Sequence, residues 1–304
     1  MPLRLAVTPL VALATVLFAA GCARPSATVC RAELPLDDRF NLIVTHVMVN
    51  GTPVPGILDT GAQTSAVTDG LVTRLGLLSD PRHGSLMSGV GGEGLAQNDA
   101  LVSQFSLAGF DPGQDHYPVI SLPVDDHEGE PLGALIGADV LSHFDIDLDV
   151  GNGRATLYDP DRCTQQLPDW AEPYDAVKLD VTWSDRLLLD VKVDGHDLRA
   201  LLDSGATVSV IDLPAAQKLG VTTEALPNEQ SGEGFGAAGV RFHRVLHTFG
   251  SLEIGGERDE APKLAVLDRS LQEADILLGL DWLRRHHVWI SSRRRVMYIA
   301  RPVG

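Results

Sequence analysis

The chain has 304 residues, 44% of them apolar, which is enough to bury two modest cores. Asp and Glu number 41 against 24 Lys and Arg, for a formal net charge of −17. That balance excludes nucleic acid as an expected partner, because phosphate backbones are bound by basic surfaces. The acidic excess is read as a source of solubility.

Residues 1–21 read as a targeting segment outside the fold. Arg4 is a minimal positive region, Leu5 to Ala20 is apolar, and the small residues Ala19-Ala20-Gly21 lead into Cys22. This stretch resembles the lipobox of bacterial lipoproteins, with Ala19 where Leu is usual. The resemblance implies that Cys22 is lipidated and anchors the protein in a bacterial cell envelope, facing the periplasm or the exterior. An ordinary cleaved signal peptide that leaves Cys22 over is the alternative. A retained membrane helix is disfavoured because the run is short and holds Pro9. Residues 22–37 are expected to be a tether. Beyond Cys22 only Cys30 and Cys163 remain. In an exported chain they are a candidate disulfide bracketing the first repeat, with two unpaired thiols as the alternative.

From Phe40 to Val49 the chain is rich in β-branched residues and reads as a strand. Asn50-Gly51 then suits a two-residue hairpin turn, and the return strand ends in Ile57-Leu58-Asp59-Thr60-Gly61-Ala62. A short helix is expected next, capped by Thr68 or Asp69 and closed by Gly76. The glycine-rich segment Ser88-Gly89-Val90-Gly91-Gly92-Glu93-Gly94 follows, then β-like sequence from Ala100 to Leu107. Gly137 stands in an apolar stretch before another short helix, and Ala155 to Tyr158 closes the unit. Residues 164–173 read as a linker, with Trp170 available to pack on a lobe.

The same order then recurs. Leu187 to Val193, Asp194-Gly195 and Leu198 to Leu202 lead to Asp203-Ser204-Gly205-Ala206, which stands 144 residues after Asp59. Ser65 matches Ser209, and Leu75-Gly76 matches Leu219-Gly220. The second helix has Asp212 as cap, Pro214 in its first turn and Gly220 at its end. A second glycine-rich tip includes Gly234, Phe235 and Gly236, and the segment around Gly137 has its counterpart around Gly279. Such a repeat makes each copy a structural unit. Both glycine-rich tips formally read G-x-G-x-x-G, but neither joins a strand to an amphipathic helix as a dinucleotide site requires. They are expected to be hairpin tips.

Taken together, the Asp-Thr-Gly-Ala and Asp-Ser-Gly-Ala loops after apolar strands, the glycine-rich tips and the later apolar-apolar-Gly segments resemble the retropepsin-like aspartic proteases. The resemblance covers roughly residues 38–160 and 174–302. It implies an all-β chain of two tandem retropepsin-like β-barrel lobes, 38–163 and 174–304, in a pepsin-like pseudo-twofold arrangement. It also implies catalysis by Asp59 and Asp203. Thr60 and Ser204 are then expected to bond across to the opposite loop, with Gly61 and Gly205 close to the carboxylates. Gly137 and Gly279 pack beneath the loops, while Gly89, Gly91, Gly92, Gly234, Phe235 and Gly236 lie in paired flaps over substrate. Phe235 is equally readable as core. The implied substrate is an extended peptide. No cofactor is expected, and intrachain pairing of the lobes predicts a monomer, with a dimer of chains as the alternative.

Two carboxyls that share a site cannot both ionise readily, which is why this chemistry uses a pair. Ala62 and Ala206 offer no hydroxyl to stabilise a charged carboxylate, so activity is expected to reach toward neutral pH. No metal site is expected. The alternate acids Asp145, Asp147 and Asp149 lack the remaining features of a calcium loop and read as a solvated strand face. His243 and His247 lack the Glu of a zinc protease. The Arg293-Arg294-Arg295 run reads as a charged hairpin turn. A peptide-binding or scaffolding lipoprotein with little turnover is the functional alternative.

Overall fold

The computed structural model describes residues 30–39, 41–85, 88–89, 92–93, 97–122, 129–163, 167–171, 173–222, 230–235 and 241–301. The expected targeting segment, residues 1–21, and Cys22 lie outside them. Each repeat folds as a β-rich lobe with short helices. In the first, strands Leu42–Val49 and Thr52–Leu58 pair antiparallel through Asn50 and Gly51, at φ 48° and 78°. In the second, Leu187–Val193 and His196–Leu202 pair through Asp194 and Gly195, at φ 51° and 79°. Both turns need positive φ at two successive positions, and Asn-Gly and Asp-Gly tolerate that.

The return strand of each hairpin lies beside a strand from the far end of its lobe. Ile57 is in parallel register with Leu135, and Leu201 with Leu277. Those partners, Ala134–Ile136 and Ile276–Leu278, pair on their other side with Ala66–Thr68 and Val210–Asp212. All four short strands are buried throughout, which explains their apolar runs without alternation. The chain crosses itself here, and the Asp loops emerge at that crossing.

Helices Asp69–Leu75 and Leu213–Lys218 are too short to stand alone. Thr68, not Asp69, caps the first by accepting from Leu71 N at 3.1 Å. Asp212 caps the second by accepting from Ala215 N at 2.8 Å. Gly76 and Gly220 take positive φ just past the two helices.

A six-stranded sheet joins the lobes in the order Arg31–Pro35, Arg154–Tyr158, Asp145–Asp149, Val288–Ser291, Val296–Ala300, Tyr174–Lys178. Its central pair comes from different lobes, with Ile146 opposite Ile290. Two expectations are corrected here. Of the expected tether at 22–37, residues 31–37 belong to the fold: Arg31–Pro35 forms the sheet edge, and Asp37 opens the strand Asp37–Arg39 that pairs with the start of Leu42–Val49. Leu34 and Leu36 are buried at the core margin, so the segment is held by apolar contact as well as by the ladder.

Nor are Asp145, Asp147 and Asp149 a solvated face. Asp145 and Asp149 are only 4% and 6% exposed, because their strand lies at the centre of this sheet. Each has a partner that permits burial. Arg294 meets Asp145 at 3.3 Å, Arg154 meets Asp149 at 2.9 Å, and His287 meets Asp147 at 2.5 Å. Within the linker Trp170 donates to Asp147 at 3.2 Å and packs its ring on His287. The arginine run serves the same surface, since Arg293 pairs with Asp161. Cys30 and Cys163 are joined as a disulfide, with Cα atoms 5.0 Å apart, stapling the outer edge of the sheet to the end of lobe one.

Each lobe also carries a projecting hairpin. In lobe one Ser79–Ser85 pairs with Gln97–Leu101, and beyond them Ser88–Gly89 pairs with Gly92–Glu93. In lobe two Gln230–Phe235 pairs with Arg241–Thr248. Strand thus leads to strand, as expected of hairpin tips. Gly91 and Gly236 lie outside the described residues.

Candidate active site

The two Asp loops meet at the seam between the lobes, each bonded to the other. Asp59 N donates to Ile136 O and Asp203 N donates to Leu278 O, both at 3.0 Å, so each loop begins fixed to the crossing strand of its own lobe. Asp59 Oδ1 accepts from Gly61 N and Ala62 N, both at 2.9 Å. Asp203 Oδ1 accepts from Gly205 N at 2.9 Å and Ala206 N at 3.0 Å. One oxygen of each carboxyl is thereby held by backbone, and the two carboxyls are near enough for the charge of one to act on the other.

Cross-bonds between the loops hold the carboxyls in register. Thr60 Oγ1 donates to Leu202 O at 2.8 Å and accepts from Ser204 N at 3.0 Å. Reciprocally, Ser204 Oγ donates to Leu58 O at 2.7 Å and accepts from Thr60 N at 3.0 Å. Both hydroxyl residues are buried, at 4% and 0% exposure, so these bonds have no water to replace them.

The following glycines are required by space. A Cβ on Gly61 would lie 2.3 Å from Asp203 Cγ, and one on Gly205 would lie 2.3 Å from Asp59 Cγ. Each glycine backbone therefore lies against the opposite carboxyl. Gly137 and Gly279 sit beneath the loops: a Cβ there would meet Thr64 C at 2.8 Å, or Ala206 O and Val208 C at 2.8 Å.

A support that sequence reasoning left unassigned appears once in each lobe. Ser65 Oγ accepts from Gly137 N at 2.9 Å and donates to Asp139 Oδ1 at 2.7 Å. Ser209 repeats this with Gly279 N at 2.9 Å and Asp281 Oδ1 at 2.7 Å. The available signal was a Ser and an Asp standing at matching places in both repeats, the Asp within an apolar segment where solvation alone does not explain it.

Of the residues expected in flaps, Gly89 and Gly92 oppose one another in the small hairpin, and Gly234 and Phe235 lie in the strand that ends at the second tip. Gly234 has a clear steric reason, since a Cβ there would meet the Phe242 ring at 2.4 Å.

The electrostatics follow from this confinement. Burial pushes both carboxyls above the ordinary range, against the backbone N–H bonds that favour their charged forms. The charge of Asp59 raises Asp203 further, to about 8. The pair thus retains one proton where a free Asp has none. Arg186 favours the ionised form of Asp59 from one side only; its repeat counterpart is Leu42.

Comparison with known proteins agrees with this geometry. The family model described as aspartyl protease matches residues 45–140 and again 189–282. DNA damage-inducible protein 1 of Candida glabrata is 31% identical over 115 residues, covering 38% of this chain and 25% of that protein. Protein DDI1 homolog 1 of Rattus norvegicus is 30% identical over 113 residues, covering 37% and 26%. The chain therefore matches only about a quarter of the length of these relatives. The crystal structure of aspartic proteinase from Irpex lacteus superposes with a TM-score of 0.51 at 12% identity, covering 89% of this chain and 97% of that one. That likeness concerns the bilobal fold, whereas the doubled match to the family model concerns the sequence of each repeat. The chain belongs to the aspartyl protease family, with one retropepsin-like unit in each of its two repeats.

Proposed function

We propose that the protein is an aspartic endopeptidase that acts as a single chain, with Asp59 and Asp203 as one catalytic dyad. The observation that carries this reading is the mirrored pair of buried carboxyls, each pinned by two backbone N–H groups and lying against the loop glycine of the other lobe, a confinement that favours one retained proton. In that state one carboxylate acts as general base and takes a proton from a water as the water oxygen attacks the scissile carbonyl. The protonated partner donates to the carbonyl oxygen, giving a neutral tetrahedral diol. Collapse returns the oxygen's proton to the dyad, while the leaving nitrogen gains the proton taken from water, so the site is regenerated without a covalent intermediate. The proton belongs to the pair, and neither Asp has a permanent role.

The substrate is an extended peptide held by strand-like main-chain bonds between the dyad and the two hairpins. We further propose export and anchoring through Cys22. The Cys30–Cys163 bridge supports export, since such bonds persist in oxidising compartments. Digestion of a diverse peptide library from pH 3 to 8 tests the activity. Cleavage that requires both carboxyls is expected; peptide binding without turnover by the intact protein would give preference to a scaffolding role. Membrane partition of Cys22→Ser tests the anchor separately, and its undiminished retention in the membrane would reject lipidation at that residue.

A further inference from the structure

At the root of the lobe-one hairpin, three side chains that take no part in the bonds of the Asp loops converge on one point. Strand Ser79–Ser85 loses register with Gln97–Leu101 between Asp80 and Gly84, and the extra residues form a bulge. The bulge brings His83 Nδ1 to 2.9 Å from Asp80 Oδ2. From the neighbouring strand His116–Tyr117, His116 Nε2 reaches the same oxygen at 3.3 Å. Ligating atoms of all three side chains lie within 4.8 Å of one another. Tetrahedral zinc with bonds of about 2.0–2.1 Å places neighbouring donors roughly 3.3 Å apart, so the observed O···N separations are already those of a coordination shell.

Three further features point to a cation. His116 Nδ1 lies 2.6 Å from Asp115 Oδ1, the carboxylate–histidine pairing that fixes the tautomer of a metal ligand. With its Nδ1–H given to Asp115, His116 turns an Nε2 lone pair toward a carboxylate, and only a proton or a metal between them makes that favourable. The two imidazole rings lie with centroids 4.0 Å apart beside the Arg82 guanidinium, so one dication at Asp80 Oδ2 would be within reach of both. Charge balance agrees, because Asp80, Asp99 and Asp115 outnumber Arg82. Asp80 is 6% exposed, and Asp99, opposite it in the ladder, is occupied by Ser85 N and Oγ.

We propose that Asp80 Oδ2, His83 Nδ1 and His116 Nε2 form a binding site for one zinc-class divalent cation, with a fourth position open to water. Two histidines and one carboxylate select a borderline cation over calcium or magnesium, which take oxygen ligands. Arg82 is the internal competitor. Its Nε and terminal nitrogen meet Asp80 at 3.1 Å each, but its side chain is 83% exposed and can leave toward solvent. A bound ion would cross-link the bulge at residues 81–83 to the strand Ser79–Ser85 and the strand His116–Tyr117, stiffening the stem of the hairpin. The site does not rest on the catalytic reading, and its test does not use activity.

Titration of the metal-stripped full chain with zinc, followed by calorimetry and by melting temperature, decides the matter. One zinc per chain is expected, with a raised melting temperature. His83→Ala and His116→Ala should each weaken binding at least about tenfold, and Asp115→Asn by roughly 10-fold. Arg82→Gln should tighten binding, which a purely structural ion-pair cluster does not predict. Calcium in large excess should neither bind nor displace zinc. No binding, or binding unchanged in both histidine variants, would overturn the site. So would equal binding of calcium. Circular dichroism of each apo variant separates lost ligands from lost fold.

Discussion

Asp203 differs from a free aspartic acid because of where it sits. Burial and the neighbouring Asp59 hold its carboxyl up near 8, so the folded chain keeps a proton that the unfolded chain releases near pH 3.9. A group raised in the folded state gives stability that is complete below the unfolded value and lost as pH rises toward the folded one. Relative to Asp203→Asn, the wild type should lose stability progressively as pH rises from about 4 toward 8, and level off above. Urea unfolding of both proteins across that range measures it, and parallel curves would contradict the raised carboxyl. Activity should persist to neutral pH and fall as pH rises through about 8. At Thr60 the prediction is structural. Thr60→Val leaves buried Ser204 N and Leu202 O without partners and should cost about 1–3 kcal/mol, while Thr60→Ser keeps both bonds and most of the stability. Equal losses in the two variants would mean that the methyl group, not the hydroxyl, matters.

Among the elements, the Asp loops depend on what lies under them. Gly279→Ala brings a methyl within 2.8 Å of Ala206 O and Val208 C, and backbone cannot yield as a flexible side chain does. The loop carrying Asp203 must shift. Misplacement on the ångström scale costs on the order of 100-fold in rate, so kcat should fall about that much in a protein that still folds. Single-turnover kinetics beside a circular dichroism melt checks this; unchanged kcat would show that the loop has slack. Much of this architecture was legible in sequence because it is written twice. Asn50-Gly51 with Asp194-Gly195, the helix caps and the two Asp loops each gain force from their mates. Legibility failed where pairing is made by another part of the chain. Asp145, Asp147 and Asp149 show the alternation of a wetted strand, but their cover comes from Arg294, His287 and Arg154, and the first two belong to the other lobe. Arg31–Pro35 carries no motif of its own; its place at the sheet edge is set by Arg154–Tyr158 more than a hundred residues on, as that of its counterpart Tyr174–Lys178 is set by Val296–Ala300. Asp80, His83 and His116 escaped notice because a bulge and a sheet register, not a motif, bring them together.

For the whole molecule, two lobes become one site only while the shared sheet holds them. The Cys30–Cys163 bridge closes a loop with a sequence separation of 133 residues at the edge of that sheet. On the chain-entropy model such a loop is worth about 5 kcal/mol, and removal of native bridges commonly costs about 2–5 kcal/mol. Cys30→Ser should lower the denaturant midpoint accordingly, and reducing agent should bring the wild type to the same midpoint; an unmoved midpoint in either case would mean that the ladder alone secures this edge. The central claim is that both carboxyls of one dyad come from one chain. Its most direct test is the rate of peptide cleavage by the wild type, Asp59→Asn, Asp203→Asn and an equimolar mixture of the two variants. The account predicts a cleaving wild type, a loss of at least roughly 1,000-fold in each variant, on the scale of removing an essential catalytic group, and a mixture as inactive as its parts. Recovery of activity in the mixture would place the two halves of the site on different chains, and cleavage surviving either single substitution would mean that the carboxyls do not work as a pair.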